Sequence, residues 1–218
     1  PLTIADLDIT KPEQVDNILK KNSPDIVINT AAYHRVDDCE EADILAFEVN
    51  ALGAKYLAKT CKEIDSKLVH ISTDYVFDGE KKEPYTEEDI PNPKGAYGIS
   101  KLAGEFYIKY IWNKHFIIRT SGLYGVAGCL GKGGGNFVEG MIKRAMEGQK
   151  IKVVTDEVLT PTYTLDLAGK IVEVMKTSNF GTYHITNSGE CSWYDFTIKI
   201  FELLGIKIKV EKTTSAEF

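Results

Sequence analysis

Apolar residues come in short runs that alternate with longer helical stripes. Asp25-Ile26-Val27-Ile28-Asn29, Lys67 to Ser72 and Phe116-Ile117-Ile118-Arg119-Thr120 are compact and apolar, which predicts strands, the first of them buried on both faces. Between them, Glu13 to Lys21 follows Pro12, a good first-turn residue, and reads as a short helix. Cys39 to Glu63 carries Leu45, Val49, Leu52 and Leu57 at helical spacing and predicts one long helix. Tyr97 to Trp112 predicts another, with Leu102, Ala103, Phe106, Tyr107 and Tyr110 as its apolar stripe and with Tyr97 and Lys101 on the opposite side. Asp78 to Lys94, rich in Pro, Gly, Glu and Lys, predicts a surface loop.

Strand and helix in this rhythm predict an α/β fold, a Rossmann-like, doubly wound parallel sheet with helices on both faces. Residues 1–125 are expected to form that domain. Residues 126–218 are expected to form a smaller, mixed lobe, with parts returning to the main sheet. In this lobe Gly128 to Gly135 reads as a loop, Asn136 to Glu147 and Leu165 to Met175 as helices, and Ile151 to Val154 and Thr182 to Ile185 as strands. Ser192 to Leu204 opens with a capping-box pattern, Ser192 and Asp195. Pro1 to Ile9 reads as a strand running into a loop, and Thr213 to Phe218 stops without a finishing element. The expectation is a fragment truncated at both ends.

Composition narrows the function classes. With 218 residues and 43% hydrophobic positions the chain can bury a sizeable core. A net charge of −6 without a basic patch argues against nucleic acid. No stretch approaches a membrane span and no signal peptide opens the chain, so a cytoplasmic location is expected. Cys39, Cys61, Cys129 and Cys191 make no CxxC pair and no metal pattern, and four reduced thiols and no metal are expected.

The chemistry-bearing segments are Ser72-Thr73-Asp74-Tyr75-Val76-Phe77 and Tyr97-Gly98-Ile99-Ser100-Lys101. Tyrosine and lysine four apart on a helix share a face. An ammonium beside a phenol lowers a pKa that starts near ~10 and makes Tyr97 a general acid or base. Thr73, ending a strand, can hold a carbonyl beside it. Small residues end another strand at Asn29-Thr30-Ala31-Ala32, where a flat cofactor can approach the backbone. The remaining polar groups have structural readings. His34, His70, His115 and His184 are scattered and read as packing or surface. Asp37, Asp38, Glu40, Glu41 and Asp43 read as a solvated helix start, and Glu87, Glu88 and Asp89 as loop solubility. Arg119 fits either an anion or a structural ion pair, and Trp193 and Tyr194 read as packing in the smaller lobe.

These segments, with Leu7-Asp8-Ile9-Thr10, Asp25 to Tyr33, Val36-Asp37 with Glu40, Val49-Asn50-Ala51, Arg119-Thr120-Ser121 with Tyr124-Gly125, and Pro161-Thr162-Tyr163 with Asp166, resemble the extended short-chain dehydrogenase/reductases. More narrowly, the chain is similar to the dTDP-4-dehydrorhamnose reductase family. The resemblance implies a catalytic set of Thr73, Tyr97 and Lys101. It implies cofactor contacts from Asp8, Ile9, Ala31, Ala32, Tyr33, Asn50, Tyr97 and Lys101, and sugar contacts from Asp74, Tyr75 and Asn136. The implied reaction reduces a 4-keto group on a dTDP-deoxysugar, dTDP-4-dehydro-L-rhamnose, with NADPH or NADH. A homodimer is the expected assembly.

Two positions depart from the family pattern. The family pattern places its glycine-rich pyrophosphate turn before Pro1, so these residues do not include it, and Gly122 stands where these reductases often carry a tryptophan. Two rival readings share the resemblance. One is a nucleotide-sugar dehydratase or epimerase of the same fold; the dehydratases often carry Asp-Glu after the threonine, where this chain has Asp74-Tyr75, which argues against elimination. A non-catalytic subunit like the regulatory subunit of methionine adenosyltransferase is opposed by the intact Thr73, Tyr97 and Lys101.

Overall fold

The computed structural model describes residues 1–128 and 135–217. The chain divides into two compact units, Pro1–Thr120 with Lys170–Ile185, and Ser121–Gly169 with Thr186–Phe218. The Gly128 to Gly135 loop expectation falls largely on residues outside the described ones, as does Cys129.

The first unit is built on a parallel sheet of β1 (Ile26–Asn29), β2 (Lys67–Thr73), β3 (His115–Thr120) and β8 (Gly181–His184), in the order β1-β2-β3-β8. Its helices are α1 (Pro12–Asn22), α2 (Val36–Glu41), α3 (Asp43–Phe47), α4 (Ala54–Glu63) and α5 (Ala96–Ile111). Val15 and Leu19 of α1, Leu57 and Cys61 of α4, Ile108 of α5, and Leu68 and Ile117 of the sheet form one buried cluster with Ile9. All six residues of β3 are buried, as a central parallel strand requires. The molecule is thus an α/β protein with a parallel sheet.

Three local expectations change. Pro1 to Ile9 forms a turn instead of a strand, because the Asp6 carboxylate accepts from both the backbone N–H and the hydroxyl of Thr3. In β1, Ile28 is 48% exposed, so this strand ends the described sheet and is not buried on both faces. The long helix over Cys39 to Glu63 is broken at Ala42, which leaves the helical region, and is widened into a π-helical segment over Glu48–Gly53. Such segments interrupt helices most often near functional sites.

Helix α5 also turns differently from its apolar periodicity. The buried side carries Gly98, Ser100, Lys101, Leu102, Gly104, Glu105 and Ile108, while Phe106 and Tyr110 are exposed. Two features decide the orientation. Gly98 and Gly104 are its only side-chain-free points: a Cβ at Gly98 would lie 2.2 Å from the Tyr75 carbonyl oxygen, and one at Gly104 2.3 Å from that of Asn50. Glu105 meets Arg119 of β3, with Nη2 donating to Oε2 at 2.7 Å and Nε to Oε1 at 3.0 Å, and it accepts from the Ser72 hydroxyl at 2.6 Å. This bidentate, fully sealed pair satisfies the charges that the orientation buries. Arg119 is therefore a structural ion-pair partner.

The loop from Asp78 to Lys94 is fastened, not merely solvated. Glu87 accepts from the His184 backbone N–H at 2.8 Å, Asp89 binds Lys81 at 2.7 Å, and Asp78 accepts from the Tyr85 hydroxyl at 2.6 Å. Phe77 stacks on Tyr85, and the Arg119 guanidinium lies over the Phe77 ring.

The second unit contains β4 (Leu123–Tyr124), α6 (Phe137–Met146), β5 (Ile151–Val154), β6 (Val158–Leu159), β7 (Thr162–Tyr163), the start of α7 (Thr164–Met175), β9 (Cys191–Ser192), α8 (Trp193–Leu204) and β10 (Val210–Thr213). Strand pairs β4/β7 and β5/β10 are parallel, and β6/β9 is antiparallel. Met141, Ile151, Val153, Ile200 and Phe201 form its core, with Phe137, Trp193, Tyr194 and Phe196 packed against them. Both long helices open with a capping box, Asn136 with Glu139 and Ser192 with Asp195.

Replacing Arg119 with Met leaves the Glu105 carboxylate sealed without its partner. Urea denaturation should show a loss of about 3–5 kcal/mol. Gly98→Ala should cost about 1–3 kcal/mol in the same assay by driving α5 off the Tyr75 carbonyl. A wild-type midpoint in either variant would refute the packing described.

Candidate active site

The carboxyl end of β2 delivers Thr73, whose backbone stays extended before the short 3-10 turn of Asp74–Val76. The Thr73 hydroxyl donates to Asp74 Oδ1 at 3.1 Å and accepts from the Tyr75 backbone N–H at 3.2 Å. Tyr97, in the first turn of α5, places its buried phenol beside that same hydroxyl, near enough for Thr73 to draw the phenol's pKa down against the larger effect of burial. Its ring meets Tyr75 edge-on, with centroids 5.6 Å apart. Gly98 makes this possible, because it lets α5 touch the turn that carries Tyr75. Thr73, Asp74, Tyr75 and Tyr97 are therefore one constellation.

The start of α5 is fixed by two residues. Glu40 accepts from the Ala96 backbone N–H at 2.7 Å, so this carboxylate caps the helix and is more than a solvated charge. Asn50, in the π-helical segment, accepts from the Tyr33 N–H and donates to the Tyr33 carbonyl, both at 2.9 Å, and donates to Ser100 Oγ at 3.0 Å. The Ser100 hydroxyl donates to the Tyr97 carbonyl at 2.9 Å. Asn50 thus ties the segment carrying Ala31, Ala32 and Tyr33 to the helix carrying Tyr97 and Lys101.

Lys101 is 1% exposed. Its Nζ donates to the Ile71 carbonyl at 2.6 Å and lies 3.3 Å from His70 Nε2. Burial pushes its pKa down to about 8, against an opposing pull from Glu105. Burial likewise pushes the Tyr97 phenol up to about 12, with the Thr73 hydroxyl drawing it down and the nearby Asp74 carboxylate adding to the rise. This reverses the expected direction: desolvation outweighs the lysine, whose nitrogen is turned toward β2. Tyr97 is consequently a fully protonated acid at neutral pH.

At the amino end, Asp8 accepts from the Thr10 hydroxyl at 2.7 Å and the Thr10 N–H at 2.9 Å, which holds its carboxyl below the usual range. Ile9 is buried against Gly53, where a Cβ would lie 2.6 Å from its Cδ1. Ala31 is exposed, and Ala32 and Tyr33 are half-buried, in an irregular segment after β1. A nicotinamide cofactor fits this unit on three counts. The strand end after Asn29 is free of bulky side chains, a buried amine lies nearby on α5, and the Thr120 hydroxyl, paired in register with Thr73, is buried with no hydrogen-bond partner. A buried, unpaired hydroxyl is costly and is a natural contact for a bound polar group.

Asn136 belongs to the second unit. Its Oδ1 accepts from the Glu139 N–H at 3.2 Å and its Nδ2 donates to the Gly125 carbonyl at 2.7 Å, so both ends of the amide are engaged in capping α6. The same unit holds a groove of about 430 Å³ lined in part by Tyr124, Pro161, Tyr163, Asp166, Asn187 and Glu190. The first four of these lie in stretches that carry the family resemblance. Among the described residues no group of three or more His, Cys, Asp or Glu is placed to hold a metal ion, and no helix is long and apolar enough to cross a membrane. Cys39, Cys61 and Cys191 are free thiols.

Sequence reasoning passed over His70, Asn29, Glu40, Ser100 and Glu105. A signal existed in β2. Alternation places His70 and Ser72 on one face of a strand expected to be covered on both sides, and buried polar groups demand partners.

Comparison with known proteins agrees with this architecture. The family described as RmlD substrate binding domain matches residues 1–218. The Bacillus subtilis spore coat polysaccharide biosynthesis protein SpsK is 41% identical over 217 residues, covering all of this chain and 74% of that protein. A dTDP-4-dehydrorhamnose reductase of Aggregatibacter actinomycetemcomitans is 38% identical, covering 92% of this chain and 68% of the relative. The crystal structure of the Bacillus anthracis dTDP-4-dehydrorhamnose reductase in complex with NADP superposes with a TM-score of 0.95 at 43% identity, over all of this chain and 75% of that one. The chain spans about three quarters of the length of such relatives, and by the match over its whole length it belongs to the RmlD substrate binding domain family.

Proposed function

We propose that this chain reduces the 4-keto group of a dTDP-linked deoxysugar with NADPH, converting dTDP-4-dehydro-L-rhamnose to dTDP-L-rhamnose. The observation that carries the reading is the gathering of the buried Tyr97 phenol and the Thr73 hydroxyl around the turn of Tyr75, whose ring meets that of Tyr97 at 5.6 Å and whose N–H donates to Thr73. Ketone reduction needs a proton donor at the carbonyl oxygen as the carbon becomes an alcohol. A bound nicotinamide supplies the hydride. Tyr97 supplies the proton, and its raised pKa keeps the phenol loaded across the neutral range. The Thr73 hydroxyl, which donates to Asp74 in the free protein, turns to the same carbonyl oxygen as a second donor. Asp74 and Tyr75, on the turn that follows, face the sugar.

In this reading Lys101 holds the nicotinamide ribose, Asp8 and Ile9 flank the adenine, and Ala31, Ala32 and Tyr33 line the cofactor groove. Asn50 supports the site from behind by joining Tyr33 to Ser100. The names of the relatives support the substrate class, and the NADP complex of the Bacillus anthracis enzyme supports the cofactor. Residues 1–125 serve as the cofactor-binding domain and 126–218 as the sugar-binding lobe. A cytoplasmic location follows from the substrate and cofactor. A homodimer is supported by the exposed Phe106 and Tyr110 on α5 and Ile44 and Phe47 on α3.

Incubation with dTDP-4-dehydro-L-rhamnose should oxidise NADPH with net stoichiometry. Conversion of a dTDP-sugar without net NADPH loss would instead favour the epimerase or dehydratase chemistry of the same fold. Tyr97→Phe should lower kcat at least ~100-fold while the cofactor Kd stays within about two-fold. Lys101→Ala should raise that Kd by about 10-fold or more, as loss of a charge-assisted hydrogen bond does. Fluorescence titration with NADPH measures both, and an unchanged Kd in Lys101→Ala removes the ribose role.

A further inference from the structure

A chain of buried polar groups behind Lys101 has a fixed direction. Asn29, His70 and Lys101 are 5%, 1% and 1% exposed. The backbone N–H of Ala31 donates to Asn29 Oδ1 at 3.1 Å. A backbone amide can only donate, so this contact decides which end of the Asn29 side chain is oxygen. Its Nδ2 therefore donates to His70 Nδ1 at 2.9 Å, and that ring nitrogen carries no proton. A neutral imidazole with a bare Nδ1 bears its proton on Nε2, which lies 3.3 Å from Lys101 Nζ. An Nε2–H needs a lone pair opposite it. An ammonium has none. A free amine has one, and still keeps an N–H for the Ile71 carbonyl at 2.6 Å.

We propose that Asn29 and His70 are positioning residues that keep Lys101 as a free amine in the free protein, and that this amine takes up a proton from solvent when it turns to the ribose diol of the cofactor. The second clause rests on the ribose role proposed for Lys101. The surroundings are consistent from every side. On α5, Tyr97 lies one turn before Lys101 and Glu105 one turn after. Glu105 favours an ammonium, but its oxygens are already committed to Arg119 of β3 and to Ser72 of β2, with Lys109 3.9 Å away. β2 presents His70, and β1 presents Asn29, which is neutral. Burial acts in the same direction on both titratable partners, pushing Lys101 to about 8 and His70 well below its ordinary value.

Long-range imidazole proton–nitrogen correlation spectra of the 15N-labelled full chain test the first clause without cofactor. The expected result, at a pH above the lysine's value of about 8, is a His70 Nε2–H tautomer. An Nδ1–H tautomer or an imidazolium overturns the relay. Calorimetric titration with NADPH at about pH 8, in buffers of different ionisation enthalpy, tests the second. Net proton uptake on binding is expected, and proton-neutral binding overturns the coupling. Asn29→Asp reverses the polarity, because a carboxylate still accepts from Ala31 but cannot donate to His70. His70 should switch to the Nδ1–H tautomer, its bare Nε2 then suits an ammonium, and the proton uptake should disappear. An unswitched tautomer in this variant contradicts the proposal, and if the variant does not fold, the wild-type tautomer still decides. Failure of NADPH to bind would sink the cofactor role of Lys101 and the coupling that rests on it, while the His70 tautomer tests the Asn29–His70 relay independently of any cofactor.

Discussion

The seam between β2 and α5 governs the first unit. A lysine and a glutamate on one helix face are turned inward, which is tolerable only because the sheet answers both. Ile71 and His70 meet Lys101, and Arg119 and Ser72 meet Glu105. The two glycines of α5 then let the helix sink close enough for those contacts to form. Everything at the carboxyl end of β2 follows from this closeness: the phenol of Tyr97 reaches the hydroxyl of Thr73, and the turn carrying Tyr75 rests on Gly98. A buried ion pair contributes little net stability by comparison with well-packed apolar groups. Its value here is orientation, since only one rotation of α5 satisfies both side chains.

Much of this was legible in the order of residues. Runs such as Phe116 to Thr120 and helices such as Phe137–Met146 follow directly from apolar spacing and capping residues, because burial and backbone hydrogen bonding act locally. The rotation of α5 was not legible from hydrophobicity. Its most apolar stripe, with Phe106 and Tyr110, faces outward, and the sterics of Gly98 and Gly104 and the partners of Lys101 and Glu105 overrule it. The π-helical segment also escapes periodicity, because its Asn50 packs against Gly104, far away in the chain.

The electrostatics of the site repeat this at finer scale. Tyrosine and lysine one turn apart suggest mutual influence through charge, and the spacing of Tyr97 and Lys101 was legible. What the spacing omits is solvent. Once both side chains are drawn out of water, desolvation moves each toward its neutral form, a phenol and an amine. A proton donor that stays protonated suits reduction better than one that is half ionised.

The loop after Phe77 is anchored by carboxylates. Asp78 is held near pKa 2 chiefly by the Tyr85 hydroxyl, and Asp89 near 2 chiefly by Lys81. Carboxyl groups with a depressed pKa add stability that is complete above the ordinary carboxylate pKa and erodes only as the medium is acidified toward 2. The flap of chain beside the site is thus clamped throughout the range in which a cell lives, and acid strong enough to unbutton it lies far outside that range.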